Sequence, residues 1–337
     1  MNTASYSVLA KVHARFGRML GEDDYTALMA CRTLSDFTAY MHGKRDYTDA
    51  IAELTGSQFS RGQLEFLLRE NRFRENIAMC VSIKSFDKEL SDFFIGLEEA
   101  NFILNILLEL KNLDGNPHLN TPLRAFYRYT RINITAFKEA HDYASFLNAL
   151  KDSRYYAILK KFQTIADEKL DYTTIESAVF HKLYGDFISM EKKSTDLTEL
   201  IFAVIELSNI SILYRDKKIF GGTERVRDII LPYWYKVDRS TAESLITADL
   251  KDFIDLLSRT RYAGLVTGGD NDFDLEIERR RLLRDRYVHT LHFSMDASAL
   301  AFAFIQLKNF ELRNLIIIIE GIRYDVSAQT VKRLLVY

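Results

Sequence analysis

Three landmarks recur in one order, three times, along this chain, and a period of about 107 residues constrains the fold more than any single motif does. The first is a polar residue and phenylalanine opening an apolar segment: Asp36-Phe37 to Met41, Ser145-Phe146 to Leu150 and Asp252-Phe253 to Leu257. Its phenylalanines lie 109 and 107 residues apart, and a tyrosine follows each nine or ten residues later, at Tyr47, Tyr155 and Tyr262. The second is E-x-x-N, as Glu98 to Asn101, Glu206 to Asn209 and Glu311 to Asn314, with spacings of 108 and 105. The third is an apolar residue followed by glutamate: Leu64-Glu65, Ile175-Glu176 and Ile277-Glu278. E-x-x-N alone says little in a helical chain, so the shared register carries the weight.

Breaker clusters fall where this period places boundaries, at Leu113-Asp114-Gly115-Asn116-Pro117 and Phe220-Gly221-Gly222-Thr223. The chain therefore divides into repeats over 1–115, 116–222 and 223–337. Ordinary usage of about 5% would supply about 17 prolines. Only Pro117, Pro122 and Pro232 are present, so long helices can run almost anywhere. The expected fold is all-α: in each copy a short pair of helices around the Phe and Tyr landmarks, then two long helices as a hairpin. In the last long helix Leu300, Phe304, Leu307, Glu311, Asn314 and Ile318 follow helical steps, which puts Glu311 and Asn314 beside the apolar stripe. Val326 to Tyr337 reads as a short amphipathic closing helix.

With 45 basic and 47 acidic residues the formal charge is −2, which gives no global pull toward nucleic acid. Cys31 and Cys80 have no C-x-x-C spacing and read as reduced thiols. Met1 to Met19 carries Lys11, His13, Arg15 and Arg18, unlike a signal peptide's apolar core. The most apolar runs, Ile201 to Ile205 and Leu315 to Ile319, fall short of the roughly 20 residues of a membrane span. No transmembrane segment is expected.

The residues resemble the C subunit of bacterial and archaeal V-type ATP synthases, equivalent to the d subunit of vacuolar ATPases. The most specific stretch is Leu307 to Leu315, similar to the family's K-x-x-E-x-x-N helix through Lys308, Glu311 and Asn314. The family's L-x-x-T-x-Y element matches Leu257 to Tyr262 and nearly matches Leu150 to Tyr155. The first copy departs from it, with Arg45-Asp46-Tyr47 lacking the threonine. Tyr6, Ala14-Arg15, Leu20, Tyr25 and Leu28 resemble the N-terminal helix, with Phe16 and Gly17 replacing part of its Ala-Arg-Val-Arg type sequence. The resemblance implies a funnel or socket of three pseudo-threefold-related helical repeats, with no active site and no cofactor. It would sit peripherally at the cytoplasmic face of a membrane, between central-shaft subunits and the proteolipid rotor ring. A free helical-repeat scaffold for soluble partners is the alternative the repeat alone would allow.

Candidate partner-binding residues are Glu98, Asn101, Glu206, Asn209, Glu311 and Asn314, together with Arg215 and Arg313. The acid and amide pairs either line a socket or satisfy neighbouring helix ends. The latter reading is preferred, because an unpartnered buried polar group costs about 1 to 3 kcal/mol. Arg215, Lys217, Lys218, Arg313 and Arg323 are better candidates for polar contact with a partner or the ring, with a solvated face as the default reading. The run Arg279, Arg280, Arg281, Arg284 and Arg286 is interrupted by acids and reads as an exposed helix laced with ion pairs. Asp270, Asp272 and Asp274 imitate half an EF-hand loop, but Leu275 and Arg281 occupy the positions requiring glycine and glutamate. His289 and His292 could share a metal in an all-helical hydrolase, yet no third ligand has a defined spacing. No phosphate loop, dinucleotide fingerprint or nucleophile elbow occurs. The chain is expected to be non-catalytic.

Overall fold

A computed structural model describes residues 3–54, 59–111, 126–130, 132–163, 172–190, 194–266 and 272–337. The breaker cluster near 115, Gly268-Gly269 and the side chains of the aspartates at 270–274 lie outside the described residues. No β-strand occurs among the described residues. The helices of seven residues or more are α1 (Thr3–Phe16), α2 (Glu22–Met29), α3 (Leu34–His42), α4 (Arg61–Ile83), α5 (Lys88–Lys111), α6 (Tyr143–Ala149) and α7 (Tyr172–Ser189). They continue as α8 (Thr195–Phe220), α9 (Arg239–Thr247), α10 (Leu250–Ser258), α11 (Asp272–Phe293), α12 (Ala297–Arg323) and α13 (Ala328–Leu334).

Local sequence sets the helix ends. Thr33, Ser60 and Asp142 each cap a first turn with the side chain three residues on bonding back, which satisfies amides that have no partner inside the helix. At the other end of α8, Gly221 and Gly222 take φ of 73° and 87°, a conformation that costs glycine little. Asp216 accepts the amide and hydroxyl of Thr223 there. The boundary read near 222 is thus a helix stop.

The chain forms two compact units that cut across the three copies. The first joins Met1–Asp87, Ser194–Leu200 and Gly268–Tyr337; the second joins Lys88–Lys193 and Ile201–Thr267. In the first unit α12 packs against α1, α4 and α11. Its core takes Tyr25, Leu28, Phe37, Met41 and Leu64 from the beginning of the chain, with Leu315, Ile318 and Ile319 from α12. The hairpin expected for the third copy is present as α11 and α12, but α12 also packs on α4 of the first copy.

In the second unit α5, the last long helix of the first copy, packs against α7, the first long helix of the second. Phe93 of α5 stacks on Phe187 of α7 at 4.4 Å between centroids. Neighbouring copies therefore share helices. The closing helix is shorter than the expected Val326 to Tyr337: α13 stops at Leu334, and Leu335 takes an extended conformation.

Helix α8 corrects one expectation. It contains the apolar run judged too short, yet it is 26 residues long and apolar enough to cross a membrane by length and composition. Some 67% of its most apolar window is buried within the chain, and Glu206 and Asn209 on it are fully buried and bonded. Its apolar surface serves the protein's own core.

Candidate functional site

One constellation occurs three times, built from a buried glutamate on the last long helix of one copy and donors from the beginning of the next. Glu206 on α8 accepts the Tyr262 hydroxyl, and the amides of Tyr235, Lys236 and Val237 at 2.6, 2.9 and 3.0 Å. Glu311 on α12 accepts the Tyr47 hydroxyl at 2.5 Å, the Leu20 amide at 2.8 Å and the Lys308 ammonium. Glu99 on α5 accepts Thr130 Oγ1 at 2.9 Å and the Tyr155 hydroxyl at 3.2 Å, with Arg154 at 3.7 Å. The copies are thus bonded first to second, second to third and third back to first.

The donors differ in kind but not in purpose. Each carboxylate is at most 2% exposed, and an isolated buried charge would be strongly unfavourable. Three backbone amides surround Glu206, whereas one amide serves Glu311 and a buried ammonium adds to it. Burial and the facing Glu311 hold the Tyr47 and Tyr25 hydroxyls well above the usual tyrosine range, so both stay protonated as donors or neutral neighbours. Burial and Glu99 do the same for Tyr155.

The asparagine three residues on clamps a backbone. Asn209 donates to the Leu231 carbonyl at 2.7 Å and accepts its amide at 2.9 Å. Asn314 makes the same pair with Val336, at 2.8 and 3.1 Å. The matched position after Glu99 is Phe102, which packs on Phe126 and Phe137 at centroid distances of 5.3 and 5.7 Å. An aromatic cluster replaces the amide clamp in the first copy.

Of the residues singled out from sequence, Glu206, Asn209, Glu311 and Asn314 are brought into these constellations, all at most 1% exposed. Glu98 is half-buried and Asn101 exposed; the bonded acid is Glu99, which the E-x-x-N pattern passed over. Tyrosine spacing could have found it, since Tyr155 and Tyr262 both lie 56 residues after their acids. Arg215 and Arg313 are exposed. Lys217 is not available to a partner: buried, it donates to the carbonyls of Ile246 and Ala248.

In the arginine run, Arg279 pairs with Glu276, Arg281 with Glu278 and Arg284 with Asp285. Arg280 departs from the exposed reading. It is buried beside Glu276, and desolvation, with Arg313 nearby, draws its guanidinium down to about 10. His292 packs on Phe16 and His289 on Phe293. Among the described residues no three His, Cys, Asp or Glu side chains gather as a metal would need.

A second polar knot lies where turns between long helices meet in the first unit. Ser294 donates to Asp196, Ser194 donates to Asp296, and Ser298 donates to Asp87 at 2.6 Å. Phe293 and Met295 beside it are 73% and 67% exposed.

Residues 8–334 match the ATP synthase (C/AC39) subunit family. The C subunit of an A-type ATP synthase from Methanosarcina acetivorans is 25% identical, covering 99% of this chain and 93% of that protein. Its counterpart from Thermococcus onnurineus, also the C subunit of an A-type ATP synthase, is 23% identical over 96% of this chain and 88% of its own length.

Proposed function

The chain belongs to the ATP synthase (C/AC39) subunit family, and from that premise we propose that it is a non-catalytic central-stalk adaptor of a rotary A/V-type ATP synthase or ATPase. It links the central shaft to the proteolipid rotor ring at the cytoplasmic face, so that ATP turnover is coupled to proton or sodium movement. The three repeats form a pseudo-threefold funnel whose walls receive the shaft. The observation that carries this reading is the bonding of each copy's buried acid to the next copy, with the third returned to the first. A part that transmits torque between rotating bodies needs copies tied by buried, short-range bonds, which resist shear better than exposed ion pairs.

Within this reading the acid and amide pairs hold the copies together, and the partners meet exposed groups. Arg215 and Arg313 provide cations on the two helices that also carry Glu206 and Glu311. Phe293 and Met295 provide an apolar contact. The test is capture of purified components: immobilised chain is expected to retain both the shaft subunits and detergent-solubilised ring. The charge reversals Arg215→Glu and Arg313→Glu are expected to weaken capture by about tenfold or more. Retention of neither component would overturn the proposal.

A further inference from the structure

Tyr287 of α11 sets its ring against Phe302 and Phe310 of α12, at centroid distances of 6.2 and 5.9 Å, which fixes how these two antiparallel helices run past each other. Two turns back along α11 from Tyr287 lies Arg280, and two turns on along α12 from the level midway between Phe302 and Phe310 lies Arg313. The register brings the two arginines together. Repulsion from Arg313 accordingly acts on the Arg280 guanidinium second only to its loss of water.

Neither cation has an acid of its own. Arg280 is 3% exposed, and its one hydrogen bond runs from Nε to the Glu276 carbonyl at 3.4 Å. The Glu276 carboxylate stands 4.0 Å away and is already gripped by the fork of Arg279, from Nε at 2.9 Å and from Nη2 at 2.6 Å. The two Nη groups of Arg280 donate to nothing among the described residues. Arg313, exposed on α12, makes no hydrogen bond or ion pair among them either. One carboxylate thus answers three guanidinium groups, in a chain whose formal charge is −2. A buried cation without a counter-charge is strongly unfavourable, and an anion taken up beside it supplies the missing charge.

We propose that Arg280 and Arg313 form a site for a phosphate-type oxoanion, free or at the end of a small phosphate ester, reached from the exposed Arg313. Two planar forks present paired donors, which a tetrahedral anion of nearly two charges meets with several oxygens at once, whereas chloride meets them with a single atom. Arg280, held by packing, is the fixed donor, and Arg313, in solvent, swings onto the anion. The proposal is independent of the adaptor role, because it concerns the chain alone.

The experiment is isothermal titration calorimetry of the full-length protein in chloride buffer at fixed ionic strength, with inorganic phosphate in one arm and glycerol phosphate in the other. Saturable millimolar binding of inorganic phosphate is expected, and binding of glycerol phosphate as well would show that the site also takes an ester. Arg313→Gln, at an exposed position, is expected to weaken binding about tenfold or more. Arg280→Met is expected to abolish binding and to raise the urea midpoint in phosphate-free buffer, because it removes an uncompensated buried charge. Should Arg280→Met fail to fold, the Arg313→Gln titration decides. No saturation by either anion up to about 10 mM, equal binding by Arg313→Gln, or a lowered urea midpoint for a folded Arg280→Met would each overturn the proposal.

Discussion

Lys308 is the residue on which the bonding around Glu311 turns. The position three residues before the acid is Gly96 in the first copy and Ala203 in the second; only in the third does a buried ammonium stand there. Glu311 receives one backbone amide where Glu206 receives three, and Lys308 supplies the missing positive character. Removing one partner of a buried ion pair leaves the other charge uncompensated, so Lys308→Met is expected to lower unfolding free energy by about 3–5 kcal/mol, measured by urea denaturation. A loss below about 1 kcal/mol would show that Tyr47 and Leu20 suffice.

The buried tyrosines give a second prediction at this scale. Burial pushes Tyr143 up to about 12, and it raises Tyr25, Tyr47 and Tyr155 with help from nearby carboxylates. Above the ordinary tyrosine value near 10 the unfolded chain gives up protons that the folded chain keeps, so stability falls as pH rises. Burial lowers Lys11, Arg69, Lys217 and Arg280, which act with the opposite sign, while Tyr40 and Tyr172 are raised and add to the fall. The urea midpoint is expected to hold at pH 8 to 9 and to drop between about pH 10 and 11. A midpoint flat across that range would contradict the burial of these hydroxyls.

Much of this was legible in the residues, within limits set by local pattern. Glu206, Asn209, Glu311 and Asn314 stood out because acid and amide recur in register. Glu99 did not, because Glu98 beside it has the asparagine three residues on, while Glu99 has Phe102. Sequence also could not reveal that Arg280 is buried between the half-buried Arg279 and the exposed Arg281, since that depends on what packs over one face of α11.

Elements were legible where helical period and caps agree, as in α12 with its Asp296 cap. Their partners were not, because each copy was read as a closed hairpin, whereas α12 also packs on α4 and α5 on α7 through contacts far apart in sequence. Close packing of α12 on α13 depends on a glycine. A Cβ on Gly321 would come within 2.6 Å of Val331 Cγ2, on a side chain that is 4% exposed. Gly321→Ala is expected to cost about 1–3 kcal/mol in thermal or urea unfolding. Combined with Val331→Ala, the loss should be smaller than the sum of the two single losses, because the clash is removed. Strict additivity would mean that α13 moves aside freely.

For the whole molecule, the period of about 107 residues predicted three units, while the folded chain groups into two that each draw on several copies. The reason lies in the bonds: Glu99, Glu206 and Glu311 each take donors from the copy that follows, so a copy cut at 115 or 222 would leave donors and acceptors unmatched inside it. Function at this scale rests on a family shared across residues 8–334 and on a scaffold whose copies are mutually tied. The adaptor reading requires one chain to hold two bodies at once. The direct measurement is recovery of soluble shaft subunits on beads carrying detergent-solubilised proteolipid ring, with and without this chain. Shaft retained only when the chain is added is the result predicted; shaft equally absent, or equally retained, in both cases would contradict the account.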